Sequence, residues 1–444
     1  MNGSSTVQHH VFIASSLMLV GLMSQEGVVM YRFARLLVPM VVGIVAAWST
    51  LPAGAAEPIR VGVIAPASTL VGRGILDGAT LAVDQINASG GVNGRQIKLY
   101  KFDSHGSASE SITAFQRAVD QDHVVAVMGN YISEAAIATQ PWSARLKEIY
   151  IATGPADLIL SKRVHDHYNE YKYSFRTSPN SVGYADITCI QAKAILVDEL
   201  HYKTAAIMAE NYAWTGAVVK ELQKCLPANG LKVVDVVKVA PNTADFSPVY
   251  AGIEKAKPKP DVIVTVLAHM GVKPTLQWHQ NQVPLLLAGW SSQAGAGSFW
   301  GDTNGAAQGE ITSNLGAPGA AVTDKSIPFQ RAYVKQFHED PSYGSYATYD
   351  GVHILKNAIE RAHSTKADAL VTALEATDYV GTMGHEVFFP KSSEFAHDLR
   401  VGAKYIPGVV IQWQDGKQLV LWPKRAADGK VVLPKFVAKP KAGV

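Results

Sequence analysis

From Pro58 onward, short apolar runs alternate with segments whose apolar residues recur at helical spacing. The run IRVGVIAPA predicts a strand, and Ile75, Ala79, Val83 and Ile86 then fall on one face of a helix. IKLYKFD, Ala108–Asp120, VVAVMG, Ser133–Arg145 and IYIAT follow in β, α, β, α, β order. A second series opens after YSFRTSPNS. It runs through helix Gly183–Leu200, strand TAAIMA, helix Trp214–Asn229, strand KVVDVVKV, helix Phe246–Lys255, strand DVIVTVLA, helix Val272–Asn281 and strand PLLLAG. Strands as uniformly apolar as VVAVMG are expected where helices cover both faces of a parallel sheet, so the pattern predicts two α/β units in tandem. Helices Pro328–Phe337 and Ala347–Ala362 come next, and strands VVIQW and QLVLW are joined by Asp415 and Gly416, residues suited to a tight hairpin turn. The polar, basic stretch after Ala426 reads as a mobile tail, 425–444.

The N-terminal region follows a different rule. Arg32 and Arg35 precede the uncharged run Leu36–Trp48, and small residues follow at Ala53, Ala55 and Ala56. This is the layout of a secretory signal peptide, with a mature chain expected to begin at Ala56 or Glu57 and to reside in the periplasm. The run is shorter than the roughly 20 residues needed to span a bilayer. A further apolar stretch, Val11–Met23, lacks a preceding Lys or Arg, which points to Met30 as the working start within residues 1–56.

Composition narrows the function. The 444 residues are 48% hydrophobic and 17% charged, enough for two packed lobes, and 40 basic against 37 acidic residues leave a formal charge of +3 with no long basic block outside the tail. No nucleic-acid partner is expected. Cys189 and Cys225 would meet an oxidising compartment after export. They can pair, adding on the order of 4 kcal/mol through loop closure, or remain two buried thiols. No metal is expected, since no CxxC exists and the His165–His167 run reads as a solvated loop. GRGILDG, Gly72–Gly78, only approaches a dinucleotide fingerprint, which leaves a Rossmann oxidoreductase as the enzyme alternative. HExxH, G-x-S-x-G and P-loop motifs are absent from the sequence, so no enzyme and no cofactor are expected.

DQINASGGVNGR (Asp84–Arg95) resembles a motif of the leucine/isoleucine/valine-binding type of periplasmic solute receptor of ABC transporters. VVAVMGNYIS (Val124–Ser133), YSFRT (Tyr173–Thr177), TYDGVHILKNAIERA (Thr348–Ala362) and WQDGK (Trp413–Lys417) are similar to the same family in the same order, covering Pro58 to Pro423. The resemblance implies a type I periplasmic fold: an α/β protein of two Rossmann-like lobes joined by three crossovers, near Thr177, Asn314 and Glu386. The first lobe would comprise 57–177 with 314–386, and the second 178–313 with 387–424. A monomeric receptor for a small solute, closing on its ligand and docking on a membrane permease, is the implied function. A sensory module serving a membrane receptor is the alternative use of that fold.

Ligands of open parallel sheets gather beyond the carboxyl ends of the strands. Tyr131 and Ser133 lie there after VVAVMG, and a helix starting at Ser133 offers a hydroxyl with unpaired amides. Ser133 matches a carboxylate-binding serine of the family; otherwise it is an N-cap. Gly154 and Ala156 occupy the next loop, where relatives supply a threonine that alanine replaces here. The second lobe offers Glu210, Tyr212, Trp214, His269 and Trp290 at strand ends. Amino-acid receptors of the family carry an acidic residue near Trp290, and this chain has none. A buried ammonium without a counterion is costly, so either Glu210 replaces it or the ligand lacks an amino group. A carboxylate ligand, aromatic or otherwise free of an α-amino group, is the expectation, with amino-acid binding the alternative.

Overall fold

The computed structural model describes residues 57–439; the expected signal peptide lies outside them. The strands of the first lobe are β1 (Ile59–Ala65), β2 (Ile97–Asp103), β3 (Ala126–Gly129), β4 (Ile149–Ala152) and β5 (Ser174–Arg176), all parallel in the order β2-β1-β3-β4-β5. In the second lobe, β6 (Thr204–Glu210), β7 (Lys232–Val239), β8 (Val262–Leu267), β9 (Leu286–Ser291) and β10 (Ile311–Asn314) repeat that order as β7-β6-β8-β9-β10. A two-stranded sheet, β11 (Tyr379–Val380) with β12 (His385–Glu386), follows. The antiparallel pair β13 (Val409–Gln414) and β14 (Lys417–Trp422) then extends the second sheet beside β10. Central strands β3, β8 and β9 are buried along their whole length, whereas edge strand β2 alternates with exposed positions, as burial on two faces against one requires.

The helices are α1 (Leu70–Ala88), α2 (Ala108–Asp120), α3 (Ser133–Leu146), α4 (Ile159–Asp166), α5 (Tyr168–Tyr171), α6 (Ser181–Gln191), α7 (Thr215–Ala228), α8 (Ser247–Glu254), α9 (Lys273–Gln280), α10 (Phe299–Asp302), α11 (Ser326–Phe337), α12 (Tyr343–Ala362) and α13 (Ala367–Glu375). The expected helix Gly183–Leu200 is α6 followed by a π-helical turn over Ala192–Val197. α12 starts four residues before the expected Ala347, because Ser342 and Ser345 form a reciprocal capping box. The glycines of GRGILDG lie inside α1, not in a strand-to-helix turn. A Cβ on Gly78 would come within 2.5 Å of the Ser345 carbonyl oxygen, so close packing of α1 on α12 accounts for it. Asp415 and Gly416 both adopt positive φ, 48° and 84°, as a two-residue hairpin turn requires. The disulfide Cys189–Cys225 ties α6 to α7 with Cα atoms 6.1 Å apart. His165 and Asp166 end helix α4, where the sequence reads as a loop.

Two segments sit elsewhere than expected. Phe388 bridges to Leu399, and Asp398 pairs beside Arg176 of β5, so 388–399 lies on the first lobe and the third crossing falls after it. The reason is electrostatic: the Arg176 guanidinium grips Asp398 with Nε–Oδ1 at 2.8 Å and Nη2–Oδ2 at 2.6 Å, both side chains buried. The segment predicted to be a mobile tail packs on the second lobe as far as Ala438, whose amide donates to the Pro284 carbonyl at 3.1 Å. Gln412 exchanges two hydrogen bonds with the Val432 backbone, at 2.8 and 2.9 Å, and Phe436 meets Trp278 edge-on at 5.0 Å. Val437 is buried, so the apolar residues scattered among the tail's lysines anchor it.

Candidate ligand-binding cleft

Both lobes turn the carboxyl ends of their third and fourth strands toward a shared cleft, the position that the strand order itself selects. From the first lobe come Tyr131 and Ser133 after β3, and Gly154 and Ala156 after β4. From the second come Trp214, Ala268, His269, Trp290 and Ser292. Tyr184 of α6 and Tyr343 of α12 complete the lining of a narrow cavity.

Seven of the nine candidate residues therefore line one cavity, and Glu210 and Tyr212 do not. The Tyr212 ring lies 4.5 Å from that of His269, as backing. Glu210 is buried beneath the site. Its Oε1 accepts from Trp214 Nε1 at 2.9 Å and faces His269 Nδ1 at 2.7 Å, and its Oε2 accepts from the Ala268 and His269 amides at 2.9 and 2.8 Å. Burial pushes this carboxyl up, but the His269 hydrogen bond together with the two amides outweighs it and leaves the pKa below the ordinary range.

Ser133 is neither the helix cap nor a simple donor. Ile132 holds the N-cap position, and Ser133 Oγ accepts from the Ala156 and Asp157 amides at 3.2 and 3.3 Å. With both acceptor positions filled, its hydroxyl hydrogen is the group left to give. The start of α3 also carries backbone amides beyond the reach of its own ladder, and the helix dipole favours an anion there. Asn130 shapes this turn: it takes φ 58° and is held by Ser111 Oγ at 3.0 Å and Tyr150 Oη at 2.9 Å. Gly154 is required by crowding, since a Cβ there would lie 2.6 Å from the Asn130 carbonyl oxygen.

The walls are aromatic. Tyr184 and Trp290 rings lie 4.1 Å apart, Tyr343 closes at 5.9 Å from Trp290, and Tyr131 tilts over His269 at 4.8 Å. Tyr343 Oη donates to the Gly154 carbonyl at 3.0 Å and Trp290 Nε1 to Ser292 Oγ at 2.9 Å, so these polar ends are spent. Tyr184 Oη and His269 Nε2 are buried with no hydrogen-bond partner among the described residues. Tyr184, Ala268, Ser292 and Tyr343 escaped the sequence reading. Tyr184 and Tyr343 stand in the first turns of helices that lead away from the cleft, and Asn180 and Ser342, residues suited to capping, were the available signal.

The lobes touch across the cavity. Tyr131 Oη donates to the Ala268 carbonyl at 2.7 Å, Gln293 Nε2 lies 3.3 Å from Tyr131 Oη, and the Ala213 amide donates to Glu134 Oε1 at 3.1 Å. Among the described residues, no helix is long and apolar enough to cross a membrane.

A family described as periplasmic binding protein matches residues 58–403. The chain is 24% identical over 409 residues to the Leu/Ile/Val-binding protein homolog 7 of Brucella abortus (strain 2308), covering 88% of this chain and 98% of that protein. Its fold is similar to an R. palustris solute binding protein of an ABC transporter solved with benzoate (16% identity, 86% and 99% coverage, TM-score 0.69). It is equally similar to a branched-chain amino acid transporter substrate binding protein from Streptococcus pneumoniae solved with isoleucine (20% identity, 82% and 100% coverage, TM-score 0.68). The chain belongs to the periplasmic binding protein family, with the type I fold of ABC-transporter solute receptors.

Proposed function

We propose that this protein captures a small aromatic carboxylate without an α-amino group, closes on it and presents it to the permease of an ABC transporter, after export through the signal sequence ending near Ala56. The observation that carries this reading is the state of Glu210. Each of its oxygens already holds two partners. An ammonium would have to displace one of them to gain a counterion, at the cost of a buried unpaired donor. Donors without acceptors gather instead around Ser133 and Tyr184, inside walls of Tyr and Trp that favour a flat apolar ring. Ser133, Gly154 and Ala156 form the carboxylate end, and Trp214, His269 and Trp290 receive the ring.

The names of relatives favour a second reading, uptake of a branched-chain amino acid. Calorimetric titration separates the two. Benzoate is expected to bind and leucine to fail at the same concentration, and Ser133→Ala should weaken benzoate by about 10- to 100-fold, the worth of a hydrogen bond to a charged group. The same variant strands the Ala156 and Asp157 amides, so stability should drop with it. Tight leucine binding abolished by Glu210→Gln, without benzoate binding, would replace this reading by the second.

A further inference from the structure

Beyond the carboxylate end, the cavity holds one more polar group without a partner, and its surroundings define what it can take. The imidazole of His269 is flanked by the tilted rings of Tyr131, at 4.8 Å, and Tyr212, at 4.5 Å. Its Nδ1 faces Glu210 Oε1 at 2.7 Å. A carboxylate held by two amides and an indole N–H is an acceptor, so the hydrogen of this bond sits on Nδ1. In the neutral ring Nε2 is then a lone pair. The side chain is 10% exposed, Nε2 is buried without a partner among the described residues, and the residue lines the cavity.

We infer that His269 Nε2 is a hydrogen-bond acceptor for the ligand, so that the site selects aromatic acids bearing a ring hydroxyl over the unsubstituted acid. The inference rests on the aromatic-carboxylate reading above and adds the second polar end of the ligand. The first lobe supplies the Ser133 donor for the carboxylate, joined by Tyr184 from the second; the second lobe also supplies the acceptor for a phenol hydrogen. Glu210 is a positioning residue: it fixes which ring nitrogen carries the hydrogen. A ligand without the hydroxyl leaves Nε2 buried and unpaired, and it is this loss, rather than any new contact area, that makes the selection.

The test is a calorimetric titration of the full-length protein with benzoate and the 2-, 3- and 4-hydroxybenzoates, repeated on His269→Phe. At least one hydroxybenzoate should bind about tenfold or more tightly than benzoate, and in His269→Phe that ratio should collapse toward one. Because the ratio is taken within one protein, the unsubstituted chain decides the matter even if the variant does not fold. Equal affinities for all four acids overturn the acceptor role and leave the aromatic-acid reading standing. A loss in His269→Phe that is the same for benzoate and the hydroxy acids also overturns it, since the ring would then serve the carboxylate. Failure of all four acids to bind removes the parent reading and this inference together.

Discussion

The two lobes share one strand order and one way of facing the cleft, yet they present opposite chemistry to it. The first lobe meets the cavity with donors: the Ser133 hydroxyl, forced to give its hydrogen because two amides fill its acceptor positions, and the start of α3. The second meets it with indole rings and an imidazole whose far edge is pinned by a carboxylate. On the proposed reading, the same backbone solution, loops at the carboxyl ends of the strands, carries an anion site on one side and an aromatic, acceptor-bearing site on the other. Topology fixes where a ligand lies, and the side chains at four loop ends fix what it is. The lobes also end their sheets differently. The first finishes at β5 with a charged clasp to 388–399, whereas the second continues beyond β10 into the β13–β14 hairpin.

That last contrast predicts the largest effect. Arg176 gives Asp398 two bonds, and Asn180 Nδ2 adds a third at 2.8 Å, all buried. Arg176→Met leaves an uncompensated buried carboxylate and should cost about 3–5 kcal/mol in denaturant unfolding. A cost below about 1 kcal/mol would mean that the clasp is not what holds 388–399 on the first lobe.

Burial of charge sharpens the comparison next. In the second lobe Glu310 is buried with one partner, Thr275 Oγ1 at 2.7 Å, and burial pushes its carboxyl from 4.5 to about 7. The folded protein keeps a proton there that the unfolded chain loses, so this group's stabilisation is full below pH 4.5 and falls as pH rises toward 7, by about 3 kcal/mol in all. Glu210 behaves in the opposite sense: its lowered pKa makes stability present above the ordinary carboxylate range and lost as pH falls through its own. Unfolding measured from pH 5 to pH 7 should flatten in Glu310→Gln. An unchanged slope would assign the pH dependence to the first lobe, where the buried pair Asp350 and Glu386 also has raised values, chiefly through burial.

Much of this was legible in the sequence because buried parallel strands write themselves as apolar runs and ligands collect at their ends. Strand ends point to Tyr131, Ser133, Trp214, His269 and Trp290, and the family resemblance adds Gly154 and Ala156; all seven line one cavity. What strand-end reasoning missed came from other physics. Tyr184 and Tyr343 enter from helices near the crossings, where no strand ends and periodicity points only to packing. Glu210 was weighed as a counterion because a sequence shows a carboxylate but not the four partners that occupy it. The tail was misread because an excess of lysine and proline hid the single aromatic, Phe436, that docks it on Trp278.

The smallest effect tests whether the two chemistries are joined by closure alone. Tyr131 stands on the first lobe and donates its hydroxyl to Ala268 on the second, beside His269. In Tyr131→Phe the ring still covers the imidazole, and the Ala268 carbonyl keeps Gln293 Nε2 at 2.8 Å, so no buried acceptor is left bare. The bond to Ala268, worth about 1 kcal/mol, disappears together with the long 3.3 Å contact from Gln293 Nε2. On the proposed closing mechanism the bond forms only when the lobes meet, so its loss lowers the closed population and apparent affinity falls by the same factor for every ligand. Titration should show about fivefold weaker binding of benzoate and hydroxybenzoate alike, with a wider scattering envelope in the absence of ligand. Weakening confined to one of the two acids would place the Tyr131 hydroxyl on the ligand itself, and the division of donors and acceptors between the lobes would have to be redrawn around it.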